Sequence, residues 1–212
     1  MPTLFKRPDL SVIVPVFNLE KYIGKLIDCF KRQELGNYTV EFIFVLNNCT
    51  DKSEEVIQKS RLDCTILNCT EQGCGCARNT GFEYSTGEYI WFIDGDDWLL
   101  TDTAIKEALD TIDGDILRIQ YTSDLWHRQY FSMVWQYVFK RDFIKDLRFQ
   151  QKQPSEDDAY MKPIYERLGI STKEPWMIPA TDNELYFYNY LRPGSNMERH
   201  FRGEDINAPP SA

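Results

Sequence analysis

The sequence predicts an α/β domain around a mainly parallel central sheet flanked by helices, and three observations carry that prediction. Strand-length apolar runs alternate with helical stretches across the first ~100 residues, the pattern of βαβ units. The runs are apolar at successive positions, as for strands covered on both faces. Polar and acidic residues follow directly after them, on the edge where parallel sheets collect ligands.

The elements follow in order. LSVIVPVF (10–17) reads as the first buried strand, with Pro15 near its end where a missing N–H is tolerable. Asn18 is a cap candidate for the helix in LEKYIGKLIDCFKRQ, where Tyr22, Ile23, Leu26, Ile27 and Phe30 share a face. VEFIFVL (40–46) is the second strand, and Asp51 or Ser53 can open the helix after it. CTILNC (64–69) is a short third strand. GCGCARNTGFEYSTG then reads as a Gly-rich loop entering a helix that stops at Gly87, before the strand YIWFID. Beyond it, TDTAIKEALDTI reads as a helix, DILRIQYTS as a strand, MKPIYERLG as a helix and ELYFYNYLRP as a strand. The segment 132–149 is aromatic and mixed, and the sequence after about residue 200 has the composition of a frayed terminus. This organisation implies one domain over 1–200, with a nucleotide-binding half at about 10–100, an acceptor-side half at about 101–200 and a tail at 201–212.

Composition narrows the function. A 212-residue chain with 42% hydrophobic and 14% aromatic residues can bury a real core. Its formal charge of -9 weighs against broad nucleic-acid binding, which needs a cationic surface. No apolar run approaches the ~18–20 residues that span a bilayer, and MPTLFKRPDL lacks the apolar core of a secretory signal. A cytoplasmic protein is expected, with peripheral membrane contact left open. Four of the six cysteines lie in CTILNCTEQGCGC, but the spacing matches no usual paired zinc pattern. Reduced thiols serving as small hydrophobes are the expected reading.

Two acidic groups stand out. Asp94 and Asp96 form a DxD at a strand end with Asp97 adjacent, a donor set of hard oxygens suited to Mg²⁺ or Mn²⁺ carried with substrate phosphates. The alternative is a solvated turn in which an Asp caps the helix near Thr101. In PSEDDAY, Glu156, Asp157 and Asp158 precede a helical stretch, where they either complement the helix dipole or provide a general base.

In their order these motifs resemble the inverting glycosyltransferases of the large family 2, which have the Rossmann-like GT-A nucleotide-sugar fold with a small acceptor-side C-terminal segment. The resemblance rests on SVIVPVFNLEKYI, VLNNCTDKS, GCGCARNTGFEYSTGEYIWFIDGDDWL, VFKRDFIKDLRF, SEDDAYM and YNYLRPGS, and runs from about residue 10 to 196. It implies transfer of a sugar from a nucleoside diphosphate sugar, with uridine the expected base, to a glycan or lipid-linked acceptor. Asp94 and Asp96 would hold the Mn²⁺ or Mg²⁺ ion and the donor, with Asp97 taking part. Asp157 would be the catalytic base, ionised near neutrality, with Glu156 beside it. Pro15, Phe17 and Asn18 would border the nucleotide. Asn47 stands where the family commonly has an Asp that accepts a hydrogen bond from uracil, and Leu46 and Asn48 replace the usual Asp and Gly. Arg78 would reach a phosphate or pair with an acid such as Glu83 or Glu88. Trp126, Trp135, Tyr137 and Tyr160 either stack on acceptor sugar or belong to the core. His200 is a candidate further metal contact or a surface residue, and His127 is the other histidine. An unusual acceptor, such as a modified nucleic-acid base or a protein, and a noncatalytic nucleotide-sugar-binding role are the competing readings.

Overall fold

The structure, a computed structural model, describes residues 6–123, 133–150, 156–189 and 192–193. Trp126, His127, His200 and the 201–212 tail lie outside them. Eight strands form one sheet in the order β3-β2-β1-β4-β7-β6-β8-β5. The first four, β1 (Leu10–Val16), β2 (Val40–Asn47), β3 (Thr65–Cys69) and β4 (Tyr89–Phe92), are mutually parallel. Between them run α1 (Ile23–Arg32), α2 (Ser53–Ser60) and α3 (Cys74–Tyr84). After β4 come β5 (Trp98–Leu99), α4 (Ala104–Thr111), β6 (Ile116–Ser123), β7 (Tyr137–Lys140), α5 (Arg141–Ile144), α6 (Glu156–Leu168) and β8 (Ala180–Tyr188). In this second half β7 runs antiparallel to both β4 and β6, β8 is parallel to β6, and β5 closes the edge antiparallel to β8. The sheet is therefore parallel where the nucleotide half was expected and mixed beyond it.

Strand alternation explains the two cores. Leu10, Val12, Val14 and Val16 of β1 pack with α1, α2 and α4 on one face, through Ile23, Leu26, Ile27, Phe30, Ile57, Ile105 and Ala108. Ile13 points to the opposite face and joins Ala77 and Phe82 of α3 and Met161 and Ile164 of α6. A strand between two helix layers must be apolar on both sides, hence the unbroken run in the sequence. Pro15 faces the β4 side of β1 beyond the last paired residues, Ile13 and Phe92, so its missing N–H costs no ladder bond.

Two local expectations are corrected, and one open choice is decided. Asn18 caps no helix: it sits at φ 51°, and its Oδ1 accepts the Thr50 N–H at 2.8 Å, tying the β1–α1 loop to the β2–α2 loop. The helix predicted to stop at Gly87 ends at Tyr84, and Gly87 serves a different purpose. A Cβ there would lie 2.5 Å from the Ser11 backbone N, so this position must be glycine for the chain to cross β1 so closely. Trp135, Tyr137 and Tyr160 are buried core residues, and Trp135 stacks on Tyr186 with ring centroids 4.6 Å apart. Among the described residues no helix is long and apolar enough to cross a membrane.

Candidate active site

The acids that the sequence places 60 residues apart meet around one cation. Arg78, on the second turn of α3, is only 3% exposed. Its guanidinium donates to Asp94 Oδ1 at 2.7 Å, Glu156 Oε1 at 2.6 Å and Asp157 Oδ1 at 3.2 Å. Arg78 thus joins the end of β4 to the start of α6, pairing with acids as one of its two readings had it, though with these three and not with Glu83 or Glu88. The fork of the guanidinium suits several carboxylates at once, which a lysine could not match. Burial works against its charge, and Cys74 with the three carboxylates more than offsets that, holding its pKa well above the ordinary value.

The other oxygen of Asp157 is also fixed. Oδ2 accepts the Val134 N–H at 3.1 Å, from the short 3-10 turn before β7. Burial raises the Asp157 pKa to about 7, while Arg78 pulls it down and Asp94 and Glu156 push it further up. Desolvation thus lifts this carboxyl out of the ordinary carboxylate range, so that it exchanges its proton near neutrality. Glu156 is set by the Gly75 N–H, which donates to Oε2 at 3.1 Å. Gly75 must lack a side chain, because a Cβ would sit 2.7 Å from Phe149 Cβ.

The DxD turn splits into two kinds of acid. Asp97 is 1% exposed, with Tyr186 Oη donating to Oδ2 at 2.5 Å and the Asn189 N–H to Oδ1 at 2.8 Å. Burial, with Asp96 and Asp94 beside it, raises its pKa well above the usual carboxylate range. Both oxygens of this buried carboxyl accept hydrogen bonds within the fold, whereas Asp94 and Asp96 are less deeply buried. Asp96 forms an ion pair between Oδ2 and Arg192 Nε, and Asn189 Nδ2 donates to its backbone carbonyl at 3.1 Å. Burial raises the Asp96 pKa and Arg192 opposes the rise. Among the described residues no three His, Cys, Asp or Glu side chains are grouped to hold a metal ion. Asp94 and Asp96 do fit an ion that takes two carboxylates and completes its shell with diphosphate oxygens and water. His200 lies outside the described residues.

The nucleotide-side residues line the carboxyl ends of β1 and β2. Phe17 is 44% exposed there, a flat apolar face beside Asn18. Pro15 stays inside the strand, with its carbonyl toward Gly95. Asn47 is buried and committed: Nδ2 donates to the carbonyls of Cys69 at 3.3 Å and Glu71 at 2.5 Å, and Oδ1 accepts the Gly73 N–H at 3.0 Å. Its amide shapes the β3–α3 loop, which weakens the expected contact with a base. Asn48 adopts φ 54°, a left-handed conformation that asparagine tolerates better than most residues, so it can stand in for a glycine. Leu46 is buried in β2.

Sequence reasoning missed Arg192, Tyr186, Asn189 and Val134 as site partners. The closing segment YNYLRPGS drew attention to Arg192 without giving it a role, while a backbone N–H and a strand tyrosine carry no sequence signal of their own.

Comparison with known proteins gives the family and the fold. The uncharacterized glycosyltransferase EpsJ of Bacillus subtilis is 26% identical, over 86% of this chain and 70% of its own length. The poly(ribitol-phosphate) beta-N-acetylglucosaminyltransferase TarS of Staphylococcus aureus is 32% identical over 52% of this chain, though that spans only 20% of TarS. In structure, a TarS fragment solved with UDP-GlcNAc superposes with TM-score 0.77 and 22% identity, covering 90% of this chain and 60% of the fragment. The mannosyltransferase PcManGT of Pyrobaculum calidifontis, solved with GDP-Man and Mn²⁺, superposes with TM-score 0.71 and 19% identity, covering 93% of this chain and 61% of that one. The chain thus spans about three fifths of these solved neighbours and shares their GT-A fold. The profile of glycosyl transferase family 2 matches residues 11–163, and the chain belongs to that family.

Proposed function

We propose that this chain carries a metal-dependent, inverting transfer of a sugar from a nucleoside diphosphate sugar to a hydroxyl of a glycan or lipid-linked acceptor. The observation that carries the reading is the Arg78 bridge, which holds Asp94 on the donor side and Asp157 on the acceptor side of one site. Asp94 and Asp96 would hold Mn²⁺ or Mg²⁺. When bound, the ion supplies positive charge against the diphosphate leaving group. Asp157 accepts the proton of the acceptor hydroxyl, and a pKa of about 7 suits that exchange near neutrality. Arg78 and the Val134 N–H hold its two oxygens so that the carboxylate keeps one orientation. Direct attack of that hydroxyl from the face opposite the diphosphate inverts the anomeric centre, and no covalent nucleophile is needed.

A UDP-sugar is the expected donor, supported by the resemblance of the motifs and by the UDP-GlcNAc bound in the TarS neighbour. The engaged Asn47 amide favours a weaker demand on the base than a free carboxylate would impose. Release of the sugar from UDP, GDP and TDP donors with Mn²⁺ tests both points. Asp96→Asn is expected to abolish metal-dependent donor binding, and Asp157→Asn to keep donor binding while losing transfer. Donor binding indifferent to Mn²⁺ and to Asp96 would refute the metal assignment.

A further inference from the structure

The loop between β3 and α3 holds a chemical feature that the transfer reaction does not use. Cys69 closes β3, Cys76 lies in the first turn of α3, and their sulfurs are 2.8 Å apart. At that range either sulfur can donate its proton to the other. A disulfide has its sulfurs ~2.0 Å apart, so closing the pair needs less than ~1 Å of movement. The loop between them is short and already ordered by Asn47, whose side chain bonds the carbonyls of Cys69 and Glu71 and the N–H of Gly73. Cys69 Sγ donates to the Glu71 carbonyl at 3.4 Å, and Cys76 Sγ lies 3.7 Å from Glu71 Oε2. Both cysteines line an open cleft of about 400 Å³, shared with Asn79, Thr80, Glu83 and Arg148, that admits a small reagent. All six cysteines are free thiols. Cys74, between the pair in sequence, is set among the charges around Arg78.

We propose that Cys69 and Cys76 are a modification site, a dithiol that small-molecule disulfides oxidise reversibly to an intramolecular disulfide across the β3–α3 loop. The half-buried Cys76 reacts first, because Cys69 is only 6% exposed. Its thiolate attacks one sulfur of the reagent, releasing one small thiol and leaving a mixed disulfide on Cys76. The Cys69 thiolate then attacks the Cys76 sulfur and releases the second small thiol. Two protein S–H bonds are exchanged for one S–S bond, and the two protons and two electrons leave on the two thiols released. Burial and the adjoining Cys69 sulfur push the Cys76 thiol up to about 12. A thiol of high pKa is mostly protonated and attacks slowly, and it is also a poor leaving group, so the bridge forms and reduces slowly. The same loop donates the Gly73 N–H to Asn47 and the Gly75 N–H to Glu156, so the bridge fixes the backbone that joins the two sides of the site. This inference rests on loop geometry and stands whether or not the proposed transfer reaction is correct.

The test is incubation of the folded protein with oxidised glutathione, followed by alkylation of remaining thiols in denaturant and mass spectrometry. The expected product has lost two of its six free thiols and the mass of two hydrogen atoms. Proteolysis after Glu71 should leave two peptides, one with Cys69 and one with Cys76, joined until dithiothreitol is added. Constraining so short a loop should raise Tm by on the order of 5–10 °C. Cys74→Ser should form the bridge, while Cys69→Ser and Cys76→Ser should each lose it. If Cys69→Ser fails to fold, the half-buried Cys76→Ala variant decides. Glutathione retained as a lone adduct, a bridge that includes Cys74 or Cys64, or six thiols unchanged after prolonged oxidation would each overturn the proposal.

Discussion

Replacing Arg78 by Met keeps much of the shape of the side chain and removes the one cation shared by Asp94, Glu156 and Asp157. An opposite charge at such range lowers a carboxylate pKa by ~1–3 units, so its loss raises that of Asp157 in proportion. A rise of ~1–2 units, the lower part of that range, is expected because water can reach the carboxylate where the guanidinium stood. Asp157 starts at about 7. At neutral pH its ionised fraction would fall from about one half to between ~9% and ~1%, a loss of roughly 5–50-fold in base-dependent rate. The assay is kcat/KM for transfer against pH, at fixed Mn²⁺ and UDP-sugar, for the wild type, Arg78→Met and Arg78→Lys. The wild-type rate should rise through an apparent pKa near 7, and Arg78→Met should recover at alkaline pH. Arg78→Lys should keep the apparent pKa because the charge remains but reach a lower plateau, because an ammonium cannot hold the three carboxylates at once.

Stability gives an independent reading of the same substitution. Breaking a buried ion pair from one side costs ~3–5 kcal/mol, which lowers Tm by roughly 6–20 °C in a chain of this size. The orphaned Asp157 carboxyl then has a folded pKa above its unfolded one, so the folded state binds more protons than the unfolded state. Arg78→Met should therefore gain stability as pH falls from about 8 toward about 5, a window set by the raised pKa of Asp157. A variant that loses activity equally at every pH, with no shift in apparent pKa, would refute the electrostatic role given to Arg78.

Three other outcomes follow from the geometry. Asp97→Asn should leave Mn²⁺ affinity within about threefold, because Asp97 spends its oxygens on Tyr186 and Asn189, whereas a metal ligand converted to an amide loses ~10-fold or more; calorimetry with the metal alone separates the two. Arg192→Gln removes a cation from Asp96 and should tighten Mn²⁺ binding in the absence of nucleotide by roughly tenfold, read by the same titration, while looser binding would show that Arg192 supports the ion. Gly87→Ala forces a Cβ to 2.5 Å from the Ser11 backbone N and should cost ~1–3 kcal/mol, visible as a lower denaturation midpoint with an unchanged slope.

What could be read from the sequence follows from how locally each feature is determined. The runs 10–17, 40–46 and 89–94 announce buried parallel strands because both of their faces meet helices, and that pattern needs no partner to be visible. The two-residue β5, inside the acidic turn at Trp98–Leu99, carries too little pattern to be recognised and exists because Phe187 and Tyr186 pair with it. Asp94, Asp96, Asp157 and Arg78 were each legible as candidates. Their division of labour was not, since it depends on contacts across 16 to 79 residues of chain. The setting of Asp97 was hidden for the same reason: its donors, Tyr186 and Asn189, lie about 90 residues away in sequence. The titration of Asp157 near neutrality follows from desolvation, which no local motif reports.

The bonds from Asp97 to Tyr186 and Asn189 also bear on the order in which the protein is made. During synthesis the acidic turn after β4 leaves the ribosome about 90 residues ahead of the strand that completes it. Until β8 arrives, the Asp97 carboxyl has neither of these donors and keeps its water, so the turn cannot settle into its final form. A nascent chain cut short before Ala180 could assemble the four parallel strands and their helices yet lack the lock on its acidic turn. β8 thus acts as a checkpoint on maturation, and the acidic turn takes its final form only once that strand has been made.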